Sequence, residues 1–153
     1  GLVDNAVADG AKLLAGGGRP AGLNAGHYFA PTVLTDVTET MEVYRQETFG
    51  PIVSIVSFDD QTDLLRMAND CEEGGLTAYI FTRDLARAEH YAAHLRYGEI
   101  QINGVKYDID LPHGGIGQAG IGHDCSALAL HDYLVQKRIT RALDTTTFGG
   151  LNS

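Results

Sequence analysis

Glu47-Thr48-Phe49-Gly50-Pro51 sets a carboxylate and an aromatic ring two residues apart, directly before the apolar run Ile52-Val53-Ser54-Ile55-Val56-Ser57-Phe58. Gly50 relaxes the backbone, Pro51 fixes its own φ, and a residue before proline is steered away from the helical region. The corner is therefore stiff, and it can present both side chains towards a ligand at the mouth of a strand. The competing reading is a plain helix-to-strand turn with an exposed Glu47 and a core Phe49.

The other residues with reactive potential point less clearly. Cys71 and Cys125 have neither metal-site spacing nor the number a disulfide framework needs, so both read as free thiols. Cys71 lies in Asn69-Asp70-Cys71-Glu72-Glu73, at the end of an expected helix, where three carboxylates would raise a thiol pKa. Cys125 sits beside His123 near a helix start, a better setting for a thiolate, but in no nucleophile motif. His90, His94, His123 and His131 read as surface or helix-face residues without a metal motif around any pair. Gly16-Gly17-Gly18 invites comparison with a phosphate loop; however, no Lys-Ser/Thr pair follows, and the glycines come after an expected helix instead of before one.

The elements that would position these residues follow from periodicity. Leu2, Val3, Ala6, Val7, Ala11 and Leu14 predict an amphipathic helix over 2–15, closed by the three glycines as a C-cap. Residues 19–28 read as a surface loop, Tyr28 to Leu34 as extended chain, and Thr38 to Gln46 as a short helix that leads into the corner. Ile52 to Phe58 reads as a β-branched strand buried on both faces. A helical period resumes from Thr62 and closes at Gly74-Gly75. Leu76 to Thr82 is a strand, Asp84 caps a helix carrying Leu85, Ala88, Tyr91, Ala92 and Leu95, and Gly98 to Asn103 is a third strand. Strand–helix–strand–helix–strand at these lengths predicts an α/β fold with a parallel βαβ sheet. Residues 104–123 hold too many glycines for regular structure, yet include Val105, Tyr107, Ile109, Leu111 and Ile116, so an ordered pocket-lining loop is expected. Asp124 or Ser126 would cap a last short helix through Tyr133. Residues 137–143 alternate as a half-exposed strand, and 144–153 read as a mobile tail.

At 153 residues the chain is one domain or a piece of a larger one, and its 44% hydrophobic content suits a packed core. Twenty acidic against eleven basic residues, a net charge of -9, argue against a nucleic-acid or anionic-membrane surface. No apolar run approaches the ~20 residues that cross a bilayer and no signal peptide is evident, so a cytoplasmic location is expected.

Several segments in order carry a resemblance: Gly10-Ala11-Lys12-Leu13-Leu14, the run from Gly26 to Val37, Gln46 to Pro51, Ala68-Asn69, Gly75-Leu76-Thr77-Ala78, Phe81-Thr82-Arg83-Asp84, Ile102-Asn103 and Gly114-Gly115. Together, over residues 2 to about 143, they resemble the C-terminal part of the NAD(P)-dependent aldehyde dehydrogenases. The resemblance implies that residues 1–136 are the later part of the catalytic domain and 137–143 the strand joining an oligomerisation sheet, with the family fold incomplete. It implies NAD or NADP as cofactor, an aldehyde as substrate, the rest of the dehydrogenase chain and a homo-oligomer as partners, and neither nucleic acid nor membrane. By the same resemblance Glu47 hydrogen-bonds the nicotinamide ribose and Phe49 packs beside the nicotinamide. A carboxylate suits two vicinal hydroxyls, and a ring face suits a planar group.

Family members oxidise aldehydes through a cysteine thiolate and a glutamate base, both of which belong to segments preceding the part matched here. No catalytic residue is therefore expected in this chain, and it should be inactive alone. Where the family commonly has Pro-Phe-Gly-Gly-x-Lys-x-Ser-Gly, this chain has Pro112-His113-Gly114-Gly115-Ile116-Gly117-Gln118-Ala119-Gly120. His113 thus stands where an aromatic often lines the aldehyde pocket. It could hydrogen-bond a hydroxy- or carboxy-aldehyde, or be a neutral imidazole packed in a polar loop. Tyr107 occupies a neighbouring substrate-loop position. The alternative function is a non-catalytic assembly or binding module that keeps this half of the fold.

Overall fold

A computed structural model of the chain describes residues 1–70 and 73–141. The first helix, α1 (Leu2–Ala8), buries Val3 and Ala6 and stops well short of residue 15. Gly10 adopts φ +110°, and the amides of Gly10 and Ala11 donate back to the carbonyls of Val7 (3.1 Å) and Ala6 (2.9 Å). That crossed pair is the Schellman arrangement, which terminates a helix whatever apolar period follows. The expected helix over 2–15 is thereby corrected: Lys12–Ala15 forms β1, antiparallel to β2 (Thr32–Thr35). The three glycines leave a strand, not a helix. At Gly16, φ is +73° and a Cβ would collide with the Pro31 carbonyl, so only glycine fits.

A short helix, α2 (Glu42–Arg45), precedes the corner, and β3 (Ile52–Ser54) pairs in parallel with β2 in the register Thr32↔Ile52 to Leu34↔Ser54. β3 is half the expected length and is not buried on both faces. Ile52 and Val56 pack on the core of Val3, Ala6, Ala11, Leu34, Val37, Met41 and Val43, whereas Val53 and Ile55 on the alternate positions are exposed, as is Phe58 beyond them. Helices cover one side of this strand only.

The second half is built from α3 (Gln61–Asn69), β4 (Thr77–Ile80), α4 (Leu85–His94) and β5 (Glu99–Ile102). Asp60 and Asp84 cap the two helices, their Oδ1 atoms accepting from the amides of Thr62 (2.6 Å) and Arg87 (3.0 Å). The β4–α4–β5 unit is the expected parallel crossover, in the register Thr77↔Glu99 to Ile80↔Ile102, over a core of Ile80, Ala88 and Tyr91. The preceding β3–α3–β4 unit is not a crossover within one sheet: β3 belongs to a β1-β2-β3 sheet and β4 to a separate β4-β5 pair. The expected α/β fold with a parallel βαβ unit is present, with its strands divided between a three-stranded sheet and a two-stranded one. Polar contacts join the halves, with Tyr44 Oη donating to the Met67 carbonyl (2.9 Å) and Arg66 bridging Glu39 and Asp63.

Residues 104–123 carry only one short 3-10 turn, Gly117–Ala119, and otherwise form the expected loop. His113 and Asp124 exchange backbone hydrogen bonds (2.9 and 2.8 Å), the Gly75 carbonyl accepts from both Gly98 (2.9 Å) and Ile116 (3.0 Å), and Ser126 donates to Ile109 (2.7 Å). The last expected helix is a 3-10 segment, Ala127–Tyr133, capped by Ser126 Oγ on the Leu128 amide. Residues 134–141 are exposed and carry no helix or strand, so the edge strand read over 137–143 has no ladder among the described residues. Residues 142–143, the tail at 144–153 and Cys71 lie outside the described residues.

Candidate functional site

The corner between α2 and β3 departs from a plain turn in one respect. Phe49 has φ +41°, a left-handed conformation that an aromatic residue rarely adopts, and its side chain is 88% exposed. The reading of Phe49 as a core residue is thus incorrect. The backbone around it is pinned: Glu47 N–H donates to Glu73 Oε2 (2.8 Å), Ile52 N–H to the Gly50 carbonyl (2.8 Å), and Thr32 N–H to the Pro51 carbonyl (2.8 Å). Strain of this kind costs on the order of 1–3 kcal/mol and persists only where surrounding contacts over-determine it. Phe49, Thr48, Gly50 and Pro51 form one wall of an open cavity of about 520 Å³, with Tyr28, Phe29 and the start of α1 opposite. Glu47 is exposed and lies outside that lining.

A second cavity, about 450 Å³, lies between β5 and the 104–113 segment and includes Tyr107 and His113. Their rings meet edge to face at 5.7 Å. His113 Nδ1 is 3.0 Å from Glu99 Oε2, and the same carboxylate accepts from Gln101 Nε2 (2.6 Å) and Thr77 Oγ1 (3.2 Å). The Gln101 hydrogen bond first, then His113, hold the Glu99 carboxyl below its ordinary range despite some desolvation. Tyr107 Oη lies 2.6 Å from Cys125 Sγ, a free thiol on a residue with φ +57°. That hydrogen bond, with burial and the nearby Asp124 and Glu99, pushes the Tyr107 phenol up to about 12.

The structure brings Tyr107 and His113 together on one cavity and sets Glu47 and Phe49 on one corner, with Phe49 lining the other cavity. Val105 and Ile109, read as neighbours of Tyr107 on the loop, are exposed and outside the His113 cavity. Sequence reasoning missed Glu99 and Gln101. Their signal was available: on an alternating strand, two hydrogen-bonding side chains two residues apart share one face, and Ile100 and Ile102 take the other. It also missed Glu73, whose carboxylate holds the corner from across 26 residues. His94 Nδ1 lies 2.7 Å from the His90 carbonyl, and the described residues contain no cluster of three metal-ligating side chains.

The profile of the Aldehyde dehydrogenase family matches residues 1–139. Betaine aldehyde dehydrogenase of Mesorhizobium japonicum is 42% identical over 134 residues, 86% of this chain and 27% of that protein. Among solved structures, succinate-semialdehyde dehydrogenase from Burkholderia pseudomallei superposes with a TM-score of 0.80 at 42% identity, covering 87% of this chain and 27% of the other. Betaine aldehyde dehydrogenase from Staphylococcus aureus, in complex with NAD+, gives a TM-score of 0.80 at 36% identity over 86% of this chain and 27% of the other. The parallel β4–α4–β5 unit and these matches give the molecule an α/β fold shared with solved aldehyde dehydrogenase structures. The chain belongs to the aldehyde dehydrogenase family. It spans about 30% of the length of the curated relatives it matches.

Proposed function

We propose that this chain is the C-terminal portion of an aldehyde dehydrogenase catalytic domain, supplying the nicotinamide side of the site and one wall of the aldehyde pocket. The observation that carries this reading is Phe49, a strained and exposed ring on a corner fixed by two backbone–backbone hydrogen bonds and one to the Glu73 carboxylate. A left-handed backbone on an aromatic residue is uncommon in a plain turn and persists where surrounding contacts over-determine it. Glu47 and Phe49 fit the cofactor chemically: an exposed carboxylate accepts ribose hydroxyls, and an open ring face takes a planar nicotinamide. NAD or NADP, when bound, accepts the hydride released by the aldehyde carbon. The work of these residues is to bind and orient, which contributes to rate by limiting the ring to a productive pose. Tyr107 and His113 would form the aldehyde wall.

The nucleophilic thiolate and the base that activates water are assigned to polypeptide outside these 153 residues, so the chain alone has no dehydrogenase activity. Residues 137–143 are proposed to form their strand only against a partner subunit, since an isolated edge has nothing to satisfy its amides. Residues 144–153 would follow as a tail. No described helix is long and apolar enough to cross a membrane; a cytoplasmic setting is part of this proposal.

The test uses the dehydrogenase polypeptide that carries this segment. Phe49→Ala and Glu47→Gln are each expected to lower kcat by about tenfold, the equivalent of ~1.4 kcal/mol of transition-state stabilisation, and to raise KM for NAD(P). Unchanged kcat and cofactor KM in both variants would remove the corner from the cofactor site.

A further inference from the structure

We propose that the Glu99–His113 pair sets the aldehyde preference of this pocket, favouring an uncharged, hydroxyl-bearing aldehyde over one that ends in a carboxylate. The inference rests on the assignment of His113 and Tyr107 to the aldehyde wall and adds Glu99 as the residue that positions His113. Glu99 sits on β5, where Thr77, Gln101 and His113 all approach its two oxygens, so its orientation is fixed from three sides. Held in the ionised state, the carboxylate has only acceptor sites. The proton between the two groups therefore belongs to His113 Nδ1, which leaves Nε2 for a second hydrogen bond. Tyr107 packs its ring edge against the imidazole, and its own hydroxyl is engaged by Cys125.

Charge leads to the same substrate class. The charged groups lining this cavity besides His113 are Glu99, Asp108 and Lys106, and Lys106 Nζ is already 3.0 Å from Asp108 Oδ2. With a neutral imidazole the lining carries one net negative charge; with a protonated one it is neutral. This wall is positive in neither state, so it offers a carboxylate tail like charge or no attraction. A hydroxyl, both donor and acceptor, suits either state of the ring.

The experiment compares kcat/KM of the complete dehydrogenase polypeptide for glyceraldehyde, propanal and succinate semialdehyde. Wild type is expected to prefer glyceraldehyde to propanal and to use succinate semialdehyde least. Glu99→Gln keeps the shape and removes the charge; it should improve succinate semialdehyde relative to propanal about tenfold, through KM more than kcat. His113→Phe should erase the preference for glyceraldehyde over propanal while keeping the wall filled, and it reports independently if Glu99→Gln fails to fold. Unaltered ratios in the variants, or a wild-type preference for succinate semialdehyde, would overturn the pair's role while leaving the dehydrogenase assignment intact. No turnover of any of the three aldehydes by wild type would overturn both.

Discussion

The contact between Tyr107 and Cys125 has a spectroscopic consequence. With its hydroxyl 2.6 Å from the thiol and its phenol pushed up to about 12, Tyr107 should ionise after the other tyrosines in an ultraviolet titration. Cys125→Ala is expected to return one tyrosine to the ordinary range; an unchanged titration curve would show that the contact does not form. Glu99 gives a second consequence, with a definite sign. Its folded-state pKa is depressed, so its contribution to stability is present above the ordinary carboxylate range and disappears as pH falls through the lower folded value. The gap in melting midpoint between wild type and Glu99→Gln should be open at neutral pH and close in acid. At this scale the sequence was legible where chemistry is local. Glu47 and Phe49 sit on one five-residue corner, but Glu99 meets His113 across 14 residues, and only a fold can bring them together.

The elements were legible by period and misread where one residue overrides period. Asp60 and Asp84 cap helices whose apolar faces are plain in the sequence, and both helices are where the pattern puts them. α1 is different, because Ala11 and Leu14 continue its spacing past the point where Gly10 turns the chain. A single left-handed glycine decides against four more residues of pattern. β3 was read as doubly buried because its run of Ile and Val lacks alternation, although the structure alternates it between core and solvent. The loop–strand junction yields a direct test. A Cβ on Gly98 would run into the Gly114 carbonyl oxygen, a backbone atom that cannot move aside without displacing the loop that carries His113. Gly98→Ala should destabilise by about 1–3 kcal/mol in denaturant unfolding. Gly18→Ala, with open space around the new methyl, should change little. Equal effects at the two positions would contradict the packing described.

Across the whole molecule, apolar side chains stand uncovered on several elements. Val53 and Ile55 lie on or just past β3, and Tyr79 and Phe81 on or just past β4, each exposed between more buried neighbours, and Phe58 is exposed as well. Alternation of this kind describes sheets packed on one face and open on the other. The family was legible because its short motifs keep their order along the chain. The division of the strands into two sheets was not, since pairing depends on contacts that no local pattern encodes. The most direct test of the central claim is nicotinamide reduction by this 153-residue chain alone, with several aldehydes and either NAD or NADP. The expected result is no turnover above the uncatalysed rate, because the thiolate and base are assigned to other polypeptide. Robust turnover that is abolished by Cys71→Ala or Cys125→Ala would contradict it.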